Sequence, residues 1–172
     1  MPAEKSSPAV EREFVIARVF DAPRDLVWKA WTEPKRLMRW WGPKGYKMKV
    51  ANVDLKPGGT FHYGMKAPDG SNMWGKFVFQ EIVAPELLVF VVSFSDEKGI
   101  AITLHPLNPD WPREILSTVT FTEHDDQTMV TVRWIPINAT ETERKTFQDG
   151  YTSMQQGWTG TLEQLADYLA KA

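Results

Sequence analysis

The chain of 172 residues contains no cysteine, which removes disulfides, thiolate nucleophiles and sulfur-ligated zinc. Histidine is scarce as well, with only His62, His105 and His124. A catalytic metal wants about three nitrogen or carboxylate ligands converging on one point. The pattern of the chain turns His62 away from an inner face and leaves His124 in a hairpin turn, so neither a metal nor another cofactor is expected. An excess of one charge is missing too: 20 basic and 22 acidic residues give a net charge of −2 and are mixed along the chain. No basic face for nucleic acid and no polybasic patch for a membrane follow from such a distribution. No apolar run reaches the length of a membrane span, and Met1 to Glu11 lacks the apolar centre of a signal peptide. A cytoplasmic protein is therefore expected, and the acceptor pattern Asn138-Ala139-Thr140 lacks the secretory route that glycosylation needs. Gly-x-Ser-x-Gly, the mark of a serine nucleophile on a strained turn, does not occur either.

What the chain does contain is a long amphipathic stretch at its end. Phe147, Tyr151, Met154, Trp158, Leu162, Leu165 and Leu169 recur every three or four positions, which on a helix of about 3.6 residues per turn makes one apolar stripe. Thr140 and Glu143 form a capping-box pattern that starts the helix, and Arg144, Lys145, Gln155, Glu163 and Asp167 occupy its polar side. The spacing predicts a helix over Thr140 to Ala170, lying on an apolar surface. Gly150, Gly157 and Gly160 fall inside it, each costing about 1 kcal/mol relative to alanine if exposed. Either their missing side chains admit a neighbouring strand or loop, or they leave space for a small molecule beside Tyr151, Met154 and Trp158.

Ahead of that helix the chain is mostly β. Residues 1–12 read as a flexible tail and 13–172 as one domain, of a size that buries roughly 70% of its unfolded surface. Glu13 to Phe20 alternates β-branched and aromatic residues as a strand with both faces at least partly covered. Pro23 to Thr32 is a short helix burying Leu26, Val27, Ala30 and Trp31, stopped by Glu33-Pro34. A second short helix through Leu37 and Met38 ends at Trp40-Trp41-Gly42-Pro43. Those two indoles either plug one end of the fold or place an amphipathic ring at a pocket rim. Strands then follow at Tyr46 to Leu55, Thr60 to Lys66, Met73 to Val83 and Leu87 to Phe94. The glycines of Lys56-Pro57-Gly58-Gly59 serve a turn and not a phosphate loop. Phe61, Tyr63 and Met65 face inward, and the conflict between Phe77 and Phe79 on one side and Trp74 and Val78 on the other predicts a bulge near Gly75. Ser95 to Glu114 is a long excursion, of the kind that supplies lids and binding loops, with a short extended piece through Ile100 to Leu104. A last hairpin, Ile115 to Glu123 and Thr128 to Ile135, points Val119, Phe121, Val130, Val132 and Trp134 inward.

The predicted architecture is α+β: a strongly curved antiparallel sheet of about six to seven strands wrapped around a long C-terminal helix, with two short helices after the first strand. At this point the chain resembles the helix-grip fold of the START-like, or SRPBCC, superfamily. Its local signatures resemble the branch named after the activator of heat shock protein 90 ATPase. The matching residues are Phe20-Asp21-Ala22-Pro23 with Val27-Trp28, Arg39-Trp40-Trp41-Gly42-Pro43, Pro57-Gly58-Gly59-Thr60, Pro68-Asp69-Gly70, Glu81-Ile82-Val83-Ala84-Pro85-Glu86 and Gln156-Gly157-Trp158 with Leu162, Leu165 and Leu169. The resemblance implies a cavity between sheet and helix, where members of the superfamily bind lipids, sterols, hormones or polyketides and a minority catalyse cyclisation or dehydration. It also implies a chaperone as partner, although the eukaryotic activators carry a further N-terminal domain for which this length leaves no room.

Eight tryptophans and seven methionines exceed what a core of this size needs, and both suit apolar ligands, the first by contact area and the second by adaptability. The expected site holds a small, largely apolar molecule among Tyr63, Met65, Phe77, Trp134, Tyr151, Met154 and Trp158, with Trp41, Trp74, His105 and Trp111 near its mouth. Tyr63, His105 and Tyr151 are candidates for general acid–base work, but none sits in a motif that fixes a role, so no catalytic residue is named. Two alternatives accompany the binding reading: an interaction module meeting a chaperone or a second copy, and a cyclase- or dehydratase-like enzyme using the same cavity.

Overall fold

The alternation of apolar and polar residues through the middle of the chain closes it into one antiparallel sheet. In the computed structural model, which describes residues 13–100, 102–105 and 108–172, the order of elements is as follows. β1 (Phe14–Phe20) precedes α1 (Arg24–Thr32) and α2 (Pro34–Trp40); β2 (Lys47–Val53), β3 (Thr60–Lys66), β4 (Asn72–Val83), β5 (Leu87–Ser95), β6 (Ile102–Thr103), β7 (Glu114–His124) and β8 (Gln127–Ile137) form the meander; α3 (Glu141–Asp149) and α4 (Tyr151–Lys171) end the chain. The tail expected at 1–12 lies outside the described residues. The strand order is β1-β8-β7-β5-β4-β3-β2, with the two-residue β6 pairing on β5. β1 and β2 are thus the edges, and every pairing is antiparallel.

The inner face is built by period-two alternation. Phe61, Tyr63 and Met65 of β3, Phe77 and Phe79 of β4, Val119 and Phe121 of β7, and Val130 and Val132 of β8 are all buried. From the other side Met154, Trp158, Leu162, Leu165 and Leu169 of α4 and Val27, Trp28, Ala30 and Trp31 of α1 complete the core. Each large side chain removed from water contributes about 1.5–3 kcal/mol before the entropy of ordering is deducted. Edge-to-face contacts join the layers: Trp28 and Trp31 meet Phe121 at ring-centroid distances of 5.3 Å and 5.9 Å.

Three expectations change. The final helix is not continuous: Gly150 closes α3 and opens α4 with φ −91° and ψ 8°. The stripe runs through this break because Phe147 and Tyr151 still meet, 5.7 Å apart, and the Trp111 ring stands beside the glycine. The capping box itself forms, with Thr140 Oγ1 accepting from the Glu143 amide at 3.1 Å and Glu143 accepting from the Thr140 amide at 3.0 Å. Second, no bulge occurs near Gly75. Tyr63 pairs with Gly75 and Gly64 with Trp74 in unbroken register, and the shift comes instead between Phe79 and Glu81. A Cβ on Gly75 would fall 2.5 Å from the Tyr63 hydroxyl oxygen, so the glycine makes room for a cross-strand ring. Third, Val15, Ala17 and Val19 of β1 are exposed: β1 is an edge strand, and its outer face receives no helix.

Candidate functional site

The site begins with the two adjacent indoles at the end of α2. Gly42 follows them at φ +108°, a left-handed conformation that favours glycine, and the Gln164 amide of α4 donates to the carbonyls of Trp40 and Gly42. The turn is thereby tied to the long helix. It sends the indoles in different directions. Trp40 is fully buried and donates to the Ala30 carbonyl at 2.9 Å, whereas Trp41 lies between sheet and helix, edge-on to Phe61, Tyr63, Phe77 and Trp158.

Beyond Trp41 the layers do not close completely. A cavity of about 240 Å³, partly open to solvent, is lined by Trp41, Gly42 and Pro43 from the turn, and by Tyr63 and Met65 of β3 and Met73 of β4. Val92, Ser93 and Phe94 of β5, Ile115 of β7, Trp134 of β8, and Met154, Gly157, Trp158 and Thr161 of α4 continue the wall. The long excursion supplies His105, Trp111, Pro112 and Arg113. β6 pairs with the end of β5 and carries the excursion to this position, where His105 contacts Phe94 at 4.8 Å and Trp111 meets Phe147 at 5.6 Å. Gly157 explains part of the space: a Cβ added there would have nothing within 4 Å.

The polar groups in this wall are few. Trp134 Nε1 donates to Ser117 Oγ at 3.0 Å, and Thr161 Oγ1 donates to the Gly157 carbonyl at 3.0 Å, so both are satisfied within the fold. Burial pushes the Tyr63 phenol up to about 12, against an opposing pull from the nearby Trp41 N–H. That N–H does not close a well-formed hydrogen bond on the phenol and is left as a buried donor without a partner. His105 is lowered by burial; its Nδ1 accepts from the Asn108 amide at 3.1 Å, which places the proton of the neutral ring on Nε2. Arg113 at the rim is exposed. Among the described residues no three histidine, aspartate or glutamate side chains converge as metal ligands, and no helix is long and apolar enough to cross a membrane.

Of the residues singled out in the sequence, Trp41, Tyr63, Met65, His105, Trp111, Trp134, Met154 and Trp158 are brought together around the cavity. Three are placed elsewhere. Trp74 lies on the outer face, stacked on His62 at 5.3 Å, because unbroken register through Gly75 keeps it opposite in phase to Tyr63. Phe77 stands behind Trp41 and stacks on Phe90 at 4.0 Å, in the core and not on the wall. Tyr151 turns toward Phe14 and Phe147, at 5.9 Å and 5.7 Å, as the break at Gly150 directs. Met73, Val92, Ser93, Ile115, Thr161 and Arg113 line the cavity without having been singled out. Only Arg113 carried a usable signal, a cation directly after Trp111-Pro112 in the excursion.

The sequence matches the family described as Activator of Hsp90 ATPase homolog 1-like protein over residues 21–170. The chain belongs to that family. Solved structures of the same fold include an Arthrobacter aurescens protein at 27% identity, covering 98% of this chain and 91% of that one with a TM-score of 0.75. A Mycobacterium smegmatis protein is also 27% identical, over 91% of this chain and 90% of that one, with a TM-score of 0.73. The AHSA1 protein of Silicibacter pomeroyi, at 16% identity, 92% and 98% coverage and a TM-score of 0.69, shares the fold. No curated protein matches the sequence.

Proposed function

We propose that this AHSA1-like chain binds a small, largely apolar molecule in the cavity between the sheet and α4, as a binding protein and not as a catalyst. The observation that carries the reading is the cavity of about 240 Å³, walled by aromatic and methionine side chains with a handful of polar groups. Ligand sites are concave, mostly apolar and oriented by a few polar contacts. Tyr63, whose phenol keeps its proton up to about 12, fits the role of a hydrogen-bond donor and not that of a base. The alternative drawn from the family's description, contact with a chaperone or a second copy, calls for a contiguous exposed apolar patch of several hundred Å². The exposed large apolar side chains among the described residues are instead spread over β1, α2, the loops and the end of β4.

The test is a titration with aromatic acids, phenols and fatty acids, followed by tryptophan fluorescence, since Trp41, Trp134 and Trp158 all line the cavity. Saturable quenching by one chemical class, lost in a folded Trp158→Ala variant, supports the pocket. Turnover of a bound compound would move the reading to an enzyme of cyclase or dehydratase type. No response with unmoved thermal stability, together with capture of a chaperone, would replace it with the interaction reading.

A further inference from the structure

The polar inventory of the cavity is one-sided, and this bears on the chemistry of its occupant. Among the described residues that line the cavity, Arg113 is the single one whose side chain is charged near neutrality, since it stands with one histidine and no acid. It forms no ion pair among the described residues. The acids beside it in sequence do not take it up. Glu114 accepts a hydrogen bond from Asn138 Nδ2 at 3.2 Å, and Asp110 sits in a turn in which its amide is held by Asn108 Oδ1 at 3.0 Å.

Size narrows the class further. An apolar cavity of about 150 Å³ holds benzene, so by proportion this one holds about ten carbon-sized atoms. That is a ring with a short chain, and too little for the two acyl chains of a phospholipid. Resting on the binding reading above, we infer that the ligand is a small monoanionic carboxylic acid. Its apolar, aryl-sized body lies in the cavity, and its carboxylate sits at the rim on Arg113. Amines and other cations are excluded by the same arrangement, because no carboxylate in the wall would receive them.

Calorimetric titration with phenylbutyrate, phenylbutanol and phenylbutylamine, which share one body and differ in the head group, tests this. Because Arg113 is exposed, its pairing with the acid has the strength of a favourable surface ion pair, which gives an advantage of about two- to fivefold over the alcohol at low salt. The amine binds weakest. In Arg113→Gln the ratio of acid to alcohol affinity falls to about one, and added salt compresses the advantage in the unaltered protein. Equal affinities of acid and alcohol, or an advantage that survives in Arg113→Gln with an unchanged melting temperature, overturn the assignment and leave the cavity reading standing. If none of the three compounds binds, the assignment falls together with that reading.

Discussion

Gly157 offers the sharpest test of the space between sheet and helix. It lies inside α4, where glycine costs about 1 kcal/mol relative to alanine, and a Cβ placed on it would meet nothing within 4 Å. Gly157→Ala therefore gains helix propensity and loses no packing. The expected effect is a stabilisation approaching 1 kcal/mol, read in a chain of this size as a rise of about 2–4 °C in Tm. Extending the side chain to leucine turns the same vacancy against the ligand. Gly157→Leu occupies part of a cavity of about 240 Å³, so the protein stays folded while the affinity of phenylbutyrate, used as a probe of the cavity, falls more than about tenfold, the equivalent of about 1.4 kcal/mol. Thermal melts by circular dichroism and a fluorescence titration give the two numbers. Gly150→Ala is the contrasting control: its Cβ would stand 3.3 Å from the Trp111 ring, so no stabilisation is expected there. A Gly157→Ala variant that melts below the parent, or a Gly157→Leu variant with undiminished probe affinity, would refute the argument, since either result means that protein already fills the space.

Other consequences follow from single contacts. The Tyr63 phenol, raised from 10.0 to about 12 by burial, keeps its proton in the folded state while the unfolded chain ionises. Stability should thus fall by about 2–3 kcal/mol as pH rises from 10 to 12, and urea denaturation of Tyr63→Phe should lack that part of the decline. Gly75→Ala drives a methyl into the Tyr63 ring and should cost about 1–3 kcal/mol; a double-mutant cycle with Tyr63→Leu should return part of that loss if the ring is the obstacle. Thr140→Ala removes the side-chain half of the capping box, the bond from the Glu143 amide to Thr140 Oγ1, and should destabilise by about 1 kcal/mol in chemical denaturation, leaving probe binding unchanged.

The elements and their inward faces were legible in the residues because they depend on local patterns. Period two in Thr60 to Lys66, the three-and-four spacing from Phe147 to Leu169 and the Thr140/Glu143 cap are each settled within a few residues of chain. The same local rules read Trp74 and Phe77 as competing claims on one strand and resolved them with a bulge. Only the pairing of Gly75 with Tyr63 shows that no bulge is needed. The break at Gly150 has a similar origin. A stripe of apolar residues survives a break between two helices, so spacing alone cannot distinguish one helix from two, and it is Trp111, distant in sequence, that stands against the glycine. The cavity depends on tertiary structure most of all. It is the volume left over when sheet, turn, excursion and helix close on one another, fixed by distances between elements and not by any motif. For that reason aromatic content pointed to a pocket, whereas the burial of Phe77 behind Trp41 and the arrival of Arg113 at the rim were decided only by the folded chain.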